Sequence, residues 1–140
     1  MAAFLIDSNI LLDILTQDPV WSDWSAAALQ QAADRGRVVI NPVVYAEVST
    51  RFSTIEELDE ALPASILERE EIPYAAAFLA GKCFLRYRGL GGVKTSPLPD
   101  FFIGAHAAVA GYALITRDAA RYRTYFPKLE IIAPVSGDRD

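Results

Sequence analysis

The segment 98–118, LPDFFIGAHAAVAGYALITRD, constrains the fold of this 140-residue chain more than any other. Pro99 and Asp100 read as a helix start, because proline has no N–H to leave unpaired in the first turn and a carboxylate suits the positive end of the helix dipole. Residues 101–110 continue as helix and Gly111 ends it; residues 112–115 are then a short apolar run, a buried strand closing on Thr116, Arg117 and Asp118. The helix spans roughly 15 Å, and a strand returning antiparallel to it covers about the same distance. Asp100 and Asp118 are therefore expected to meet at one edge.

The same alternation runs through the rest of the chain. Residues 2–6 form an apolar run ending in Asp7, Ser8 and Asn9, after which Ile10, Leu11, Ile14 and Leu15 recur at helical spacing. Asp18 and Pro19 close that unit. Ser22 or Asp23 can cap a second helix with Trp24, Ala28, Leu29 and Ala32 on its apolar face, ending near Gly36. A second strand over 38–40 leads to Asn41 and Pro42, which start a helix bearing Glu47. Residues 55–62 and 66–71 read as amphipathic helical pieces broken by Pro63, and Pro73 opens a longer helix over 74–87 with an apolar stripe of Ala76, Leu79, Ala80 and Cys83. A glycine- and proline-rich loop, 88–99, precedes the 98–118 segment; a short helix over 119–125 and a last strand over 129–132 follow it.

Strands alternating with helices imply an α/β fold, with a central, mostly parallel sheet and helices on both faces. Asp7, Glu47, Asp100 and Asp118 each follow a strand or start a helix, so all four are expected at the sheet's carboxyl edge, where open α/β sheets bind ligands. The length suits one domain over 1–140 with a sizeable core, and no repeat or linker divides it.

Composition narrows the chemistry. A net charge of −5 and an isoelectric point near 4.8 argue against a general basic nucleic-acid binder. Charge is unevenly placed, however: 54–71 is strongly acidic and reads as a solvated helical face, whereas 72–99 has no acidic residue and carries Lys82, Arg86, Arg88 and Lys94. Those four cations either contact phosphates along a groove or form a merely soluble face. The lone Cys83 reads as an inert core thiol and fits a reducing cytoplasm. The N-terminus lacks the pattern of a signal peptide, and no run is apolar for the roughly 18 residues a membrane span needs.

Four ionised carboxylates cannot share a small space without a counter-charge, because like charges raise each other's pKa and cost stability. A divalent cation resolves the conflict, and an all-oxygen donor set selects hard ions such as Mg²⁺ or Mn²⁺. Such an ion activates water and stabilises charge on a phosphodiester, so the expected chemistry is hydrolysis. Asp7, Asp100 and Asp118 are the expected metal ligands and Glu47 a ligand or water-orienting group, with Asn9 and Thr116 as accessory polar residues. Each acid has a blander role open to it: Asp7, Asp100 and Asp118 can cap helices, and Glu47 can be a solvated helix residue. Asp13 reads as paired or exposed. His106, about 240° around its helix from Asp100, reads as a packed or surface histidine.

The motifs LIDSN with Asp7, PVVYAEV with Glu47, LPDFFIGAHA with Asp100 and LITRDAARYRTYFPKLEIIAP with Asp118 resemble, over nearly the whole chain, the PIN-domain ribonucleases, specifically the VapC toxins of bacterial toxin–antitoxin pairs. The resemblance carries that family's acidic quartet onto Asp7, Glu47, Asp100 and Asp118, with Asn9 and Thr116 at its accessory polar positions. It implies Mg²⁺- or Mn²⁺-dependent cleavage of RNA, a homodimer, and inhibition by a cognate VapB-like antitoxin whose arginine reaches the acidic groove. Residues 53–96 match no motif of that family. Two other classes remain open on the sequence: a catalytically silent PIN-like binding module, and a receiver-type phospho-acceptor domain. The latter wants a lysine at the end of the last strand, and Lys128 precedes that strand here.

Overall fold

A computed structural model describes residues 2–135. Its centre is a five-stranded sheet in the order β3-β2-β1-β4-β5, with every neighbouring pair parallel. The strands are β1 (Ala2–Ile6), β2 (Gly36–Ile40), β3 (Glu68–Arg69), β4 (Ala113–Ile115) and β5 (Ile131–Ile132). Consecutive residues are buried in β1, β2 and β4, so neither sheet face meets solvent at its centre. The described residues contain seven helices that flank this sheet: α1 (Ser8–Leu15), α2 (Ser22–Arg35), α3 (Pro42–Ser49), α4 (Ile55–Ala61), α5 (Tyr74–Gly89), α6 (Pro99–Ala110) and α7 (Ala120–Tyr125).

Local chemistry sets the helix ends that matter for the carboxyl edge. Asp7 is the N-cap of α1, its carboxylate accepting from the Ser8 N–H, and Asn41 caps α3 by accepting from the Val44 N–H ahead of Pro42. Pro99 opens α6. Gly111 closes it with φ +76°, a left-handed conformation that a side chain would strain, and the Tyr112 N–H then donates to the Ala107 carbonyl before β4 begins. Gly104, in the middle of α6, has the Phe126 ring against it so closely that a Cβ would lie 2.3 Å from a ring carbon. That contact seats the end of α7 on α6.

Two local expectations are corrected. Residues 66–71 are not helical: Glu68 and Arg69 pair with Val39 and Ile40 as the edge strand β3, and the Glu70 N–H donates to the Ile40 carbonyl. The run is too short to bury a helical face, whereas pairing with β2 satisfies its backbone and lets Arg37 meet Glu68. Neither Ser22 nor Asp23 caps α2. Asp18 does the comparable work from the preceding turn, its carboxylate accepting from the Val20 and Trp21 N–H groups.

Candidate active site

The parallel register brings the ends of β1 and β4 side by side, with the Asp7 N–H donating to the Ile115 carbonyl at 2.9 Å. Asp7 follows β1 and Thr116 follows β4, while Glu47 projects from α3 behind β2 and Asp100 from the first turn of α6. Asp7 is buried at the centre of this group, and three hydroxyls connect it to the other acids. The Ser8 hydroxyl, beside Asp7, donates to Glu47 Oε1 at 2.9 Å. The Tyr122 hydroxyl lies 2.9 Å from Asp7 Oδ2 and 3.3 Å from Asp100 Oδ1. Thr116 donates to Asp7 Oδ2 at 2.8 Å and accepts from the Asp118 N–H.

The carboxyl groups feel one another. Burial pushes Asp7 above the usual carboxylate range, with Asp100 adding repulsion against the opposing hydrogen bonds from Thr116, Tyr122 and Ser8. Glu47 is likewise raised, first by burial and then by Asp7 and Asp100. Asp100 is raised by burial and by Asp118, with Arg121 and Tyr122 opposing. Tyr122, only 1% exposed, has its own ionisation pushed far up by burial and by Asp7 and Asp100, so it stays a neutral donor. Asp118 is exposed; it shares with Asp100, Arg121, Tyr87 and Tyr125 the lining of an open cavity of about 460 Å³.

Asn9 clamps the turn that carries Asp118: its amide donates to Thr116 Oγ1 at 3.2 Å, and its oxygen accepts from the Arg117 N–H at 3.2 Å. Arg117 then makes a two-pronged contact with buried Asp13 at 2.9 and 3.0 Å, and Ser25 donates to the same carboxylate. His106 is fully buried between Asn41 and Glu70, away from the quartet.

The basic residues do not reach these acids. Lys82 lies over the Phe78 ring, Arg86 donates to the Thr124 carbonyl on α7 and stacks over Tyr125, and Arg88 donates to the Lys94 carbonyl within the loop. Arg86 thus touches the cavity lining with its side chain, and Lys94 reaches the lining residue Tyr87 through its backbone N–H. Sequence reasoning missed Tyr122, Ser8 and Arg121. Arg121 and Tyr122 follow Asp118 on a short helix but meet Asp100 and Asp7, and no composition signal separates such a tyrosine from core packing.

Among the described residues, no three His, Cys, Asp or Glu side chains converge into a ready-made metal cage. What is present is an all-oxygen donor set in which burial first, and repulsion second, raises Asp7, Glu47 and Asp100, which suits a hard cation that keeps several waters and is held by one or two carboxylates plus a substrate phosphate.

A family model for the PIN domain matches residues 4–127. Among solved structures, the chain is similar to VapBC2 from Rickettsia felis bound to a promoter DNA fragment, at 19% identity and TM-score 0.72, covering 95% of this chain and 99% of that one. It is similar also to VapBC-1 from nontypeable Haemophilus influenzae, at 16% identity and TM-score 0.70, covering 94% and 97%. FitAcB from Neisseria gonorrhoeae gives 13% and 0.67, covering 92% and 96%. At these identities the likeness is one of fold. Among curated proteins, none matches the chain.

Proposed function

The chain belongs to the PIN-domain family, and from that premise we propose that it is a metal-dependent endoribonuclease, acting as the VapC-like toxin of a toxin–antitoxin pair as a single domain in the cytoplasm. The observation that carries this reading is the convergence of Asp7, Glu47 and Asp100 at the carboxyl edge of the parallel sheet, Glu47 linked through Ser8 and Asp7 and Asp100 both within 3.3 Å of the Tyr122 hydroxyl, with Asp118 lining the same cavity as Asp100. Asp7, Asp100 and Asp118 are the proposed holders of Mg²⁺ or Mn²⁺, and Glu47 orients the attacking water or completes the ligand set. The ion, when bound, supplies a nucleophile at neutral pH and neutralises charge on the phosphodiester. The protein's own residues do the positioning: Thr116 and Ser8 fix the Asp7 and Glu47 carboxylates, and Asn9 fixes the turn that presents Asp118.

Lys82, Arg86, Arg88 and Lys94 are the proposed phosphate contacts, Arg86 with its side chain on the cavity-lining Thr124. One solved structure with a similar fold is a toxin–antitoxin complex from Klebsiella pneumoniae, which supports a protein antitoxin as partner. A homodimer is supported by α5, where Tyr74, Phe78 and Leu85 are 95%, 69% and 60% exposed at spacings that place them on one face.

The test is cleavage of RNA by purified protein in Mn²⁺ and in chelator. Cleavage that needs the ion and falls about 100-fold or more in Asp100→Asn fits the reading. A folded protein that binds RNA without cutting it under Mn²⁺ is instead a silent PIN-like module. Membership of the PIN family removes the support for a receiver domain.

A further inference from the structure

We infer that the Tyr122 hydroxyl is a built-in placeholder for the cation: it donates to Asp7 beside Asp100 and gives up that hydrogen bond when an ion enters. The inference rests on the metal-dependent reading of the site. Its basis is the geometry around two oxygens. Asp7 Oδ2 and Asp100 Oδ1 face the same hydroxyl, at 2.9 and 3.3 Å, and that hydroxyl is on a side chain only 1% exposed. A phenol has one proton, so it can donate fully to only one of them, and the shorter contact assigns it to Asp7.

Asp7 has little room left. Of about four lone-pair positions on a carboxylate, three are engaged: one by the Ser8 N–H at 2.7 Å, one by Thr116 at 2.8 Å and one by Tyr122. The first of these caps α1 and the second ties β1 to β4, so neither can be released without disturbing the sheet edge. The tyrosine is the exchangeable partner. Asp100 faces α7 as well, its Oδ1 3.3 Å from the same hydroxyl and its Oδ2 accepting from Arg121 at 3.5 Å. An ion held by Asp7 would need the lone pair that this phenol engages.

Tyr122 is therefore a positioning residue, and Tyr122→Phe tests it because only one oxygen is removed. Thermal unfolding and Mn²⁺ calorimetry are measured at one fixed pH, with chelator and with saturating Mn²⁺. A placeholder predicts that the variant unfolds at lower temperature in chelator, that most of this loss disappears in Mn²⁺, and that Mn²⁺ binds about tenfold more tightly than to wild type, the scale of one hydrogen bond to a charged group. Equal losses in both conditions, or Mn²⁺ affinity that is unchanged or weaker, would overturn the inference and leave Tyr122 as a structural residue. If the variant is unfolded in chelator, recovery of the fold on adding Mn²⁺ supports the placeholder, and failure to recover overturns it. Wild-type protein that takes up no Mn²⁺ would defeat the metal-dependent reading itself; uptake by wild type with no gain in the variant defeats only the placeholder.

Discussion

Asp7 and Asp100 differ in how they tolerate loss of charge. At Asp100, the ion pair with Arg121 is 3.5 Å long and between about a third and a half exposed, so it contributes little. Asp100→Asn should therefore abolish cleavage while leaving the chelated protein at least as stable as wild type, because repulsion on Asp7 and Glu47 is relieved. Asp7→Asn can keep the cap on α1 but turns an amide N–H toward Thr116 and Tyr122, two donors that need an acceptor. It should cost about 1–3 kcal/mol, read by urea unfolding in chelator. The pH dependence has a defined sign. Asp7, Glu47 and Asp100 titrate above their ordinary 3.8, 4.5 and 3.8, so between the ordinary and the raised values the folded state holds protons that the unfolded chain has lost. Their contribution to stability falls as pH rises through that window. Asp100→Asn should flatten the fall in the unfolding temperature of the chelated protein; an identical slope would show that these groups are not coupled.

Two elements are placed by polar chains that run to the site from behind. The Asn41 oxygen accepts from Val44, which commits its amide to donate to His106 Nδ1, and the other ring nitrogen then donates to Glu70, itself held by Tyr112 and Arg37. Burial pushes Glu70 up, but the His106, Tyr112 and Arg37 contacts outweigh it and leave this carboxyl below its usual range. This chain anchors the start of α3 and with it Glu47. Asn41→Ser keeps a cap and loses the donor to His106, so it should cost about 1–3 kcal/mol, and Asn41→Ala should cost about 1 kcal/mol more. Equal losses in the two variants would mean that the cap carries nothing. On the other flank, Arg117→Met strands Asp13, which is 3% exposed and would keep only Ser25 as partner. A loss of about 3 kcal/mol is expected, and the double variant with Asp13→Asn should lose less than the sum of the two single variants.

Across the whole molecule, the cavity with the acids and the cations of α5 meet where Arg86 touches α7. Replacing Arg86 and Arg88 by alanine should weaken RNA binding and lower its salt slope by about one unit per lost phosphate contact, measured with the cleavage-dead Asp100→Asn background. An unchanged slope assigns the basic stretch to a soluble face. On the same helix, Phe78→Glu puts a charge in the exposed apolar stripe and should shift the sedimenting species toward monomer while the circular dichroism of the folded chain stays unchanged.

The alternation of strands and helices, the starts of α3 and α6 at Asn41–Pro42 and Pro99, and the expected grouping of Asp7, Glu47, Asp100 and Asp118 at one edge are legible in the residues alone, because caps, prolines and apolar runs act over a few residues and a parallel sheet fixes which ends coincide. Other features depend on contacts that no local pattern carries. Residues 66–71 gave a helical pattern, yet an open edge on β2 drew Glu68 and Arg69 into a strand. Asp13 was legible only as paired or exposed until the fold brought Arg117 to it across 104 positions. Tyr122 reaches Asp7 across 115 positions, and a hydroxyl that distant in sequence acquires its role only when packing, such as Phe126 against Gly104, sets the helix that bears it over the buried carboxylate.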